Sequence, residues 1–378
     1  MIYFDNSATT KPYREVLESF LKVSSEYYGN PSSLHGLGAQ AEKLLAQARG
    51  QIADLLQVKA AEICFTSGGT ESNNMAIKGA AMKHQNKGRH IITTTIEHPS
   101  VSKAMEQLEQ LGFEITYLPV TSQGMVMTKD VEKAIRQDTI LVSVMHVNNE
   151  VGTIQPISEI GGLLKQYPKV LFHVDAVQSI GKIPLDLKQW GVDLCSFSAH
   201  KFHGLKGTGL LFIREGVLLD PLLAGGNQEW KKRSGTENVA GAVSAAKALR
   251  MTLEKSKAGI AKMKRVQKIL VEGLQEIGGI KVQTPLSQAA PHILNFTMEG
   301  IKPETFIHML EKDEIYASTR SACSSKKKLP SKTLLAMGIP EQEAERSIRM
   351  SLSFDNTEEE ARFVVEAVKK AVLQLRKG

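Results

Sequence analysis

The chain has 378 residues, of which 42% are hydrophobic and 23% charged, with a formal net charge of +7. That length is enough for a large core in two domains, and that balance excludes a disordered chain or a small stapled scaffold. Three cysteines, at 64, 195 and 323, are too few and too scattered for a disulfide framework or a zinc knuckle, so no metal site is expected.

The opening Met1-Ile-Tyr-Phe-Asp has neither a basic segment nor a long apolar one. No later apolar run reaches the roughly 18 residues that span a bilayer, so a cytoplasmic protein without membrane contact is expected. Runs rich in Ile, Val, Thr and Phe predict strands at Ile63–Thr66, His90–Thr95, Glu114–Pro119, Thr139–Met145, Val170–Val174, Asp193–Ser198 and Gly209–Ile213. Between them, Glu71–His84 and Ser158–Gln166 have helical spacing. This alternation predicts an α/β fold with a mostly parallel seven-stranded sheet and ligands beyond the strand ends. From Val239 to Ile277 the pattern is almost wholly helical. The expected division is a large domain over residues 15–255, and a smaller α+β domain formed by 1–14 and 256–378.

Lys201 closes the apolar strand that begins at Asp193, and Asp175 closes another. A strand-end lysine is placed to form a Schiff base, and a carboxylate can hold a pyridine nitrogen protonated; together they form the working pair of a pyridoxal-phosphate site. Singly, each is more often a solvated end or a helix cap. A third element, Cys64-Phe-Thr-Ser-Gly-Gly-Thr-Glu-Ser-Asn-Asn74, runs from a strand through a small-residue turn into a helix whose N-terminal N–H groups suit a phosphate.

These segments resemble fold-type I pyridoxal-phosphate-dependent transferases of the class V aminotransferase-like group, and more narrowly cysteine desulfurases of the NifS/IscS type. The resemblance runs through Tyr3–Thr10, Gly29–His35, the phosphate turn, Glu97-His98 and Val147–Thr153. It continues through Asp175–Gln178, Ser198–Lys201, Arg233–Asn238, Ser321–Cys323 and Ile348-Arg349. Leu205 stands where relatives usually carry Pro, and Asn227 and Trp230 replace a usual Gly and Arg.

The resemblance implies pyridoxal 5'-phosphate held by Lys201, with Asp175 on the ring nitrogen, Gln178 on the phenolic oxygen and His98 stacked on the ring face as a proton shuttle. Taken alone, His98-Pro99 reads as a turn at a strand end. Gly69, Thr70, Ser198 and His200 would hold the phosphate together with Thr236 from the other subunit, which implies a homodimer. Thr236 also suits a turn capping the Val239 helix. Arg349, assisted by Asn149, would grip the carboxylate of L-cysteine, its alternative being a surface ion pair.

Cys64 and Cys195 lie in apolar strands and read as packed small hydrophobes. Cys323 sits in a polar, basic stretch that favours the nucleophilic thiolate. With Lys201 and His98 it completes the implied catalytic set, taking the γ-sulfur as a persulfide and leaving alanine. The sulfur would pass to an acceptor protein such as an iron-sulfur scaffold or a tRNA-thiolating enzyme. The rival activities are selenocysteine lyase and aminotransferase, and outside catalysis an idle scaffold of a sulfur-transfer system. The basic clusters Trp230–Arg233 and Lys326–Lys328 suit an acidic protein or a nucleic acid as well as plain solvation, and direct nucleic-acid binding is not expected.

Overall fold

The computed structural model describes residues 1–319 and 330–376. Its strands are β1 (Ile2–Tyr3), β2 (Ile63–Thr66), β3 (His90–Thr94), β4 (Glu114–Leu118), β5 (Thr139–Met145), β6 (Leu171–Asp175), β7 (Leu194–Ser198), β8 (Gly209–Ile213), β9 (Ile280–Val282), β10 (Ile293–Met298), β11 (Ile315–Tyr316) and β12 (Ser347–Ser351).

The large sheet has seven strands in the order β2-β8-β7-β6-β5-β3-β4. Strand β8 alone runs against its neighbours, pairing antiparallel with both β2 and β7. Strands β5, β7 and β8 are buried along their whole length, as strands with both faces covered must be, which is why they read as apolar runs rather than alternating ones. The predicted strands are all present, with ends that differ by a residue at four of them.

Helices α1 (Arg14–Glu26), α2 (Gly36–Leu56), α3 (Gly69–His84), α4 (Pro99–Gln110), α5 (Thr128–Ala134) and α6 (Ile157–Leu164) precede or connect these strands. Helix α3 begins two residues before the helix expected from Glu71, because its N-cap is Gly68, which carries no side chain to mark the start. Gly68 has φ +151 and packs so closely under β8 that a Cβ on Gly209 would lie 2.5 Å from its Cα. Glycine at both positions brings the turn down onto the sheet.

The long helical stretch is one helix, α7 (Val239–Gln275). Its cap is Asn238, whose side chain accepts from Gly241 N–H at 2.9 Å, so the alternative reading of Thr236 as its cap does not hold. Ala242, Ala245 and Leu249 near its start belong to the core of the large sheet, with Phe172, Phe197 and Phe212. Met263, Leu270 and Leu274 belong to a second core, with Phe4, Phe296 and Phe306. That core covers a three-stranded antiparallel sheet, β12-β10-β9. The N-terminal β1 pairs in parallel with β11 beside it. Among the described residues no helix is long and apolar enough to cross a membrane.

Candidate active site

Each parallel strand of the large sheet delivers its C-terminal end to one side, and the loops leaving those ends converge on a single cavity. Gly69, Thr70, Asn73, His98, Asn149, Asp175, Gln178, Ser198, His200, Lys201 and Arg349 line it, together with Ser7 and Ala8 from the N-terminal segment. All the expected cofactor and substrate residues of this chain's own cavity are therefore brought together. Thr236 is exposed and does not line the cavity. Cys323 and Lys326–Lys328 lie outside the described residues.

One wall is the first turn of α3. Helical N–H groups there have no partner within the helix, and the helix dipole adds partial positive charge, so the turn faces the cavity as an anion cradle. Gly69 has no room for a side chain, since a Cβ would come within 2.8 Å of Val177 Cγ2. The neighbouring Arg233 donates from Nε to Glu71 Oε1 at 2.8 Å, which ties the segment before Thr236 to this turn.

The floor is made by β6 and the loop after it. Asp175 is buried and accepts from Asn73 Nδ2 at 2.8 Å and from Val177 N–H at 3.0 Å. Gln178 Nε2 donates to the Ser7 carbonyl at 3.0 Å. Its Oε1 is buried with no hydrogen-bond partner among the described residues. Lys201 follows β7, and its Nζ donates to the Ala8 carbonyl at 2.8 Å and also to that of Ser7.

Behind Lys201 lies Lys182, whose Nζ donates to the Lys201 carbonyl at 2.8 Å. Burial, and then the charge of Lys201, push the Lys182 amine down to about 7. His200 accepts Thr10 N–H at its carbonyl, and burial followed by the Lys201 charge lowers its ring to about 4.

His98 sits at the opposite wall, where it caps α4: its Nδ1 accepts from Ser100 N–H at 3.1 Å. The His-Pro pair is thus a helix start, with Pro99 at the first helical position. Burial holds the ring below its ordinary pKa, with Lys201 and Arg349 acting in the same direction and Asp175 against it. Its neighbour Glu97 is buried, accepts from Thr94 Oγ1 and Met145 N–H, and is pushed up by burial to about 8.

Arg349 is only 1% exposed, so it is not the surface ion pair that its sequence context allowed. Its Nη1 donates to the Asn149 carbonyl at 2.8 Å and its Nη2 to Asp5 Oδ1 at 3.0 Å. Its Nε has no partner among the described residues. Asn149 therefore meets Arg349 through its backbone, while the residue itself lines the cavity.

Cys64 and Cys195 are buried in β2 and β7, and burial raises both thiols well above their ordinary range, so they pack as apolar groups. In the basic cluster at Trp230, Arg49 stacks over the ring at 4.6 Å and Arg233 is paired with Glu71, so the cluster is partly structural rather than a solvated face. Sequence reasoning assigned no role to Asp5, the Ser7 and Ala8 carbonyls, Asn73, Ser100 or Lys182. For Asn73 a signal was present, since it lies four residues after Gly69 and hence on the same face of α3.

The family model of class-V aminotransferases matches residues 2–364. A protein of Lactobacillus delbrueckii subsp. bulgaricus described as a NifS/IcsS protein homolog is 49% identical over 96% of this chain and 94% of its own length. The cysteine desulfurase IscS of Methanosarcina thermophila is 45% identical over 99% of this chain and 93% of its own. Among solved structures, a NifS-like protein superposes with a TM-score of 0.93 at 41% identity, covering 99% of both chains. SspA in complex with cysteine does so at 0.83 and 35% identity, covering 93% of this chain and 99% of its own. With its cavity at the strand ends and this match along nearly its whole length, the chain belongs to the class-V aminotransferase family of pyridoxal-phosphate enzymes.

Proposed function

We propose that the protein is a cysteine desulfurase, a homodimer that takes sulfur from L-cysteine, leaves L-alanine and hands the sulfur to an acceptor protein. One observation carries this: a lysine, a carboxylate, a histidine and a buried arginine converge on a cavity closed on one side by a helix N-terminus. Residues 15–255 would form the large domain, and 1–14 with 256–378 the small one.

The cavity fits pyridoxal phosphate. The first turn of α3, with Gly69, Thr70, Ser198 and His200, suits the phosphate; Asp175 suits the ring nitrogen; the second amide hydrogen of Gln178 suits the phenolic oxygen. Bound there, the cofactor supplies an electron sink for the pair released at the substrate's α-carbon.

The chain's own groups do the rest. Lys201 holds the cofactor and then moves the proton at the α-carbon. Asp175 keeps the ring nitrogen protonated, and Asn73 holds that carboxylate in place. Arg349, backed by Asp5 and Asn149, takes the substrate carboxylate with its remaining donor capacity. Cys323, as thiolate, attacks the substrate's γ-sulfur: the new S–S bond forms as the Cβ–S bond breaks, and the electron pair left on carbon is protonated to give alanine.

Two further observations support this reading. The segment carrying Cys323 is entered at Ser318, whose backbone pairs with Arg349, and left at Ser331, whose hydroxyl donates to Glu150 at 2.5 Å. Arg349 donates to the Asn149 carbonyl, and Glu150 follows Asn149 in the sequence. Thr236 is exposed, as a residue serving a second subunit would be, and Leu17, Leu21, Leu34 and Leu37 present apolar surface for that subunit. The acceptor would be an iron-sulfur scaffold or a tRNA-thiolating enzyme, in the cytoplasm.

The test is alanine formation from cysteine by the purified protein with no keto acid present, together with the mass of Cys323. Alanine with a 32-dalton gain on the peptide holding Cys323 is the expected result, the gain being that of one sulfur atom, about 32 Da by elementary mass. Transfer of the amino group to a keto acid, with no alanine in its absence, would overturn the assignment in favour of an aminotransferase.

A further inference from the structure

Asp175 and His98 stand on different elements of the cavity, and two polar side chains join them. Asn73 Nδ2 lies 2.8 Å from Asp175 Oδ2 and 2.8 Å from Ser100 Oγ. Ser100 Oγ lies 2.8 Å from His98 Nδ1.

The direction of each bond follows from what its partners can give. A carboxylate only accepts, so the Asn73 atom facing Asp175 is the amide nitrogen, and that nitrogen also donates to Ser100 Oγ. The single hydroxyl proton of Ser100 is then left for His98 Nδ1. The backbone N–H of Ser100, which can only donate, points at the same ring nitrogen from 3.1 Å. Two donors converge on Nδ1, so the proton of the neutral ring is on Nε2.

We propose that Ser100 is a positioning residue for the desulfurase reaction: oriented by Asn73, it fixes His98 as the Nε2–H tautomer and opposes a second proton on Nδ1. This rests on the reading of His98 as a group that works at the cofactor and substrate. In its resting form His98 then enters the reaction as a hydrogen-bond donor through Nε2. A proton taken up at Nδ1 displaces two hydrogen bonds, that of the Ser100 hydroxyl and that of the Ser100 N–H. The charges that face the ring act alongside: Lys201 from the end of β7 and Arg349 from β12 also disfavour the charged ring, while Asp175 from β6 favours it. Asn73 and Ser100 are buried, so the relay is not short-circuited by solvent.

The experiment uses the holoenzyme labelled with 15N-histidine, with the His98 signals identified by their loss in His98→Gln. The wild type is expected to show a protonated Nε2 and an unprotonated, hydrogen-bonded Nδ1. In Ser100→Ala, one of the two opposing bonds is gone, and the midpoint for charging His98 rises by roughly 0.5–1 pH unit, the effect of one hydrogen bond of ordinary strength. The acid limb of kcat/KM for cysteine rises with it, and Ser100→Thr, which keeps the hydroxyl, restores both.

A wild-type ring protonated on Nδ1, a measurement that needs no variant, overturns the proposal. So does a midpoint unmoved in Ser100→Ala, or a moved midpoint with an unmoved acid limb. Failure to turn over cysteine would instead sink the desulfurase assignment, since the tautomer is read without turnover.

Discussion

Arg349 and Asp5 pair at 3.0 Å across 344 residues of sequence, with the arginine almost fully enclosed. The pair fixes a guanidinium at the cavity wall and leaves Nε unmatched by the described residues, as a group reserved for an anion would be. Replacing Arg349 by Ala is expected to lower kcat/KM for cysteine by about 30-fold or more, the loss typical when one member of a buried charge pair is truncated. Steady-state kinetics check this, with the effect expected chiefly in KM. An unchanged KM would remove Arg349 from substrate binding.

Lys201→Ala is expected to abolish desulfuration and the visible absorbance of lysine-linked cofactor. Lys182 lines an adjoining cavity together with Lys201, and its amine is directed to the Lys201 carbonyl rather than to Asp175. A variant that still turned over cysteine near the wild-type rate would show that the cofactor is held elsewhere.

Cys323→Ser should bind pyridoxal phosphate and respond spectrally to cysteine, yet form no persulfide, because a serine hydroxyl is a far poorer nucleophile near neutral pH. Cys64 and Cys195 are enclosed and their thiols raised, so neither is a substitute. Tryptic peptides carrying transferable sulfur on either of them would reassign the step.

Glu97 gives a pH dependence with a definite sign. Its folded-state value is about 8 against an ordinary 4.5, so between those limits the folded protein keeps a proton that the unfolded chain has released. Stability conferred at low pH is therefore lost as pH rises through that window. Glu97→Gln, whose side-chain oxygen can still accept from Thr94 and Met145, should flatten the dependence and be on the order of a few kcal/mol more stable relative to wild type at pH 8 than at pH 5. Thermal denaturation at the two pH values measures the difference; parallel curves would mean that Glu97 titrates normally.

Replacing all three of Lys326, Lys327 and Lys328 by Gln separates steering from activation at Cys323. If these charges guide an acidic acceptor, transfer to a protein acceptor slows at low salt while turnover with a small reductant is nearly unchanged. Both rates falling together would point to thiolate activation instead.

The large sheet was legible because its strands are short, apolar and bounded by turn residues, and because helices separate them at regular intervals. Its ends were less so. The start of α3 was placed late because Gly68 caps without a side chain, so the usual Ser, Thr or Asp mark is missing. The chemical groups at strand ends, Asp175 and Lys201, became readable once the phosphate turn stood beside them, whereas Ser198 rested on the family resemblance. The groups that orient them were not: Asp5 reaches Arg349 only through the tertiary fold, and Ser100 reads as an ordinary first-turn residue until Asn73 is placed beside it. Lys182, following Gly181, has the sequence context of a surface lysine, yet it is buried with its amine on a backbone carbonyl.

The N-terminal segment has a consequence for the timing of assembly. Ser7 and Ala8 supply the carbonyls that hold Lys201, and Asp5 holds Arg349, so this early segment must wait for a partner made 344 residues later. The large sheet can form while the chain is still growing, but its cavity gains this wall only after β12 has emerged. Capture of the cofactor in its final geometry therefore waits for β12. Nascent chains truncated before Arg349 would present the phosphate turn with no closed site above it.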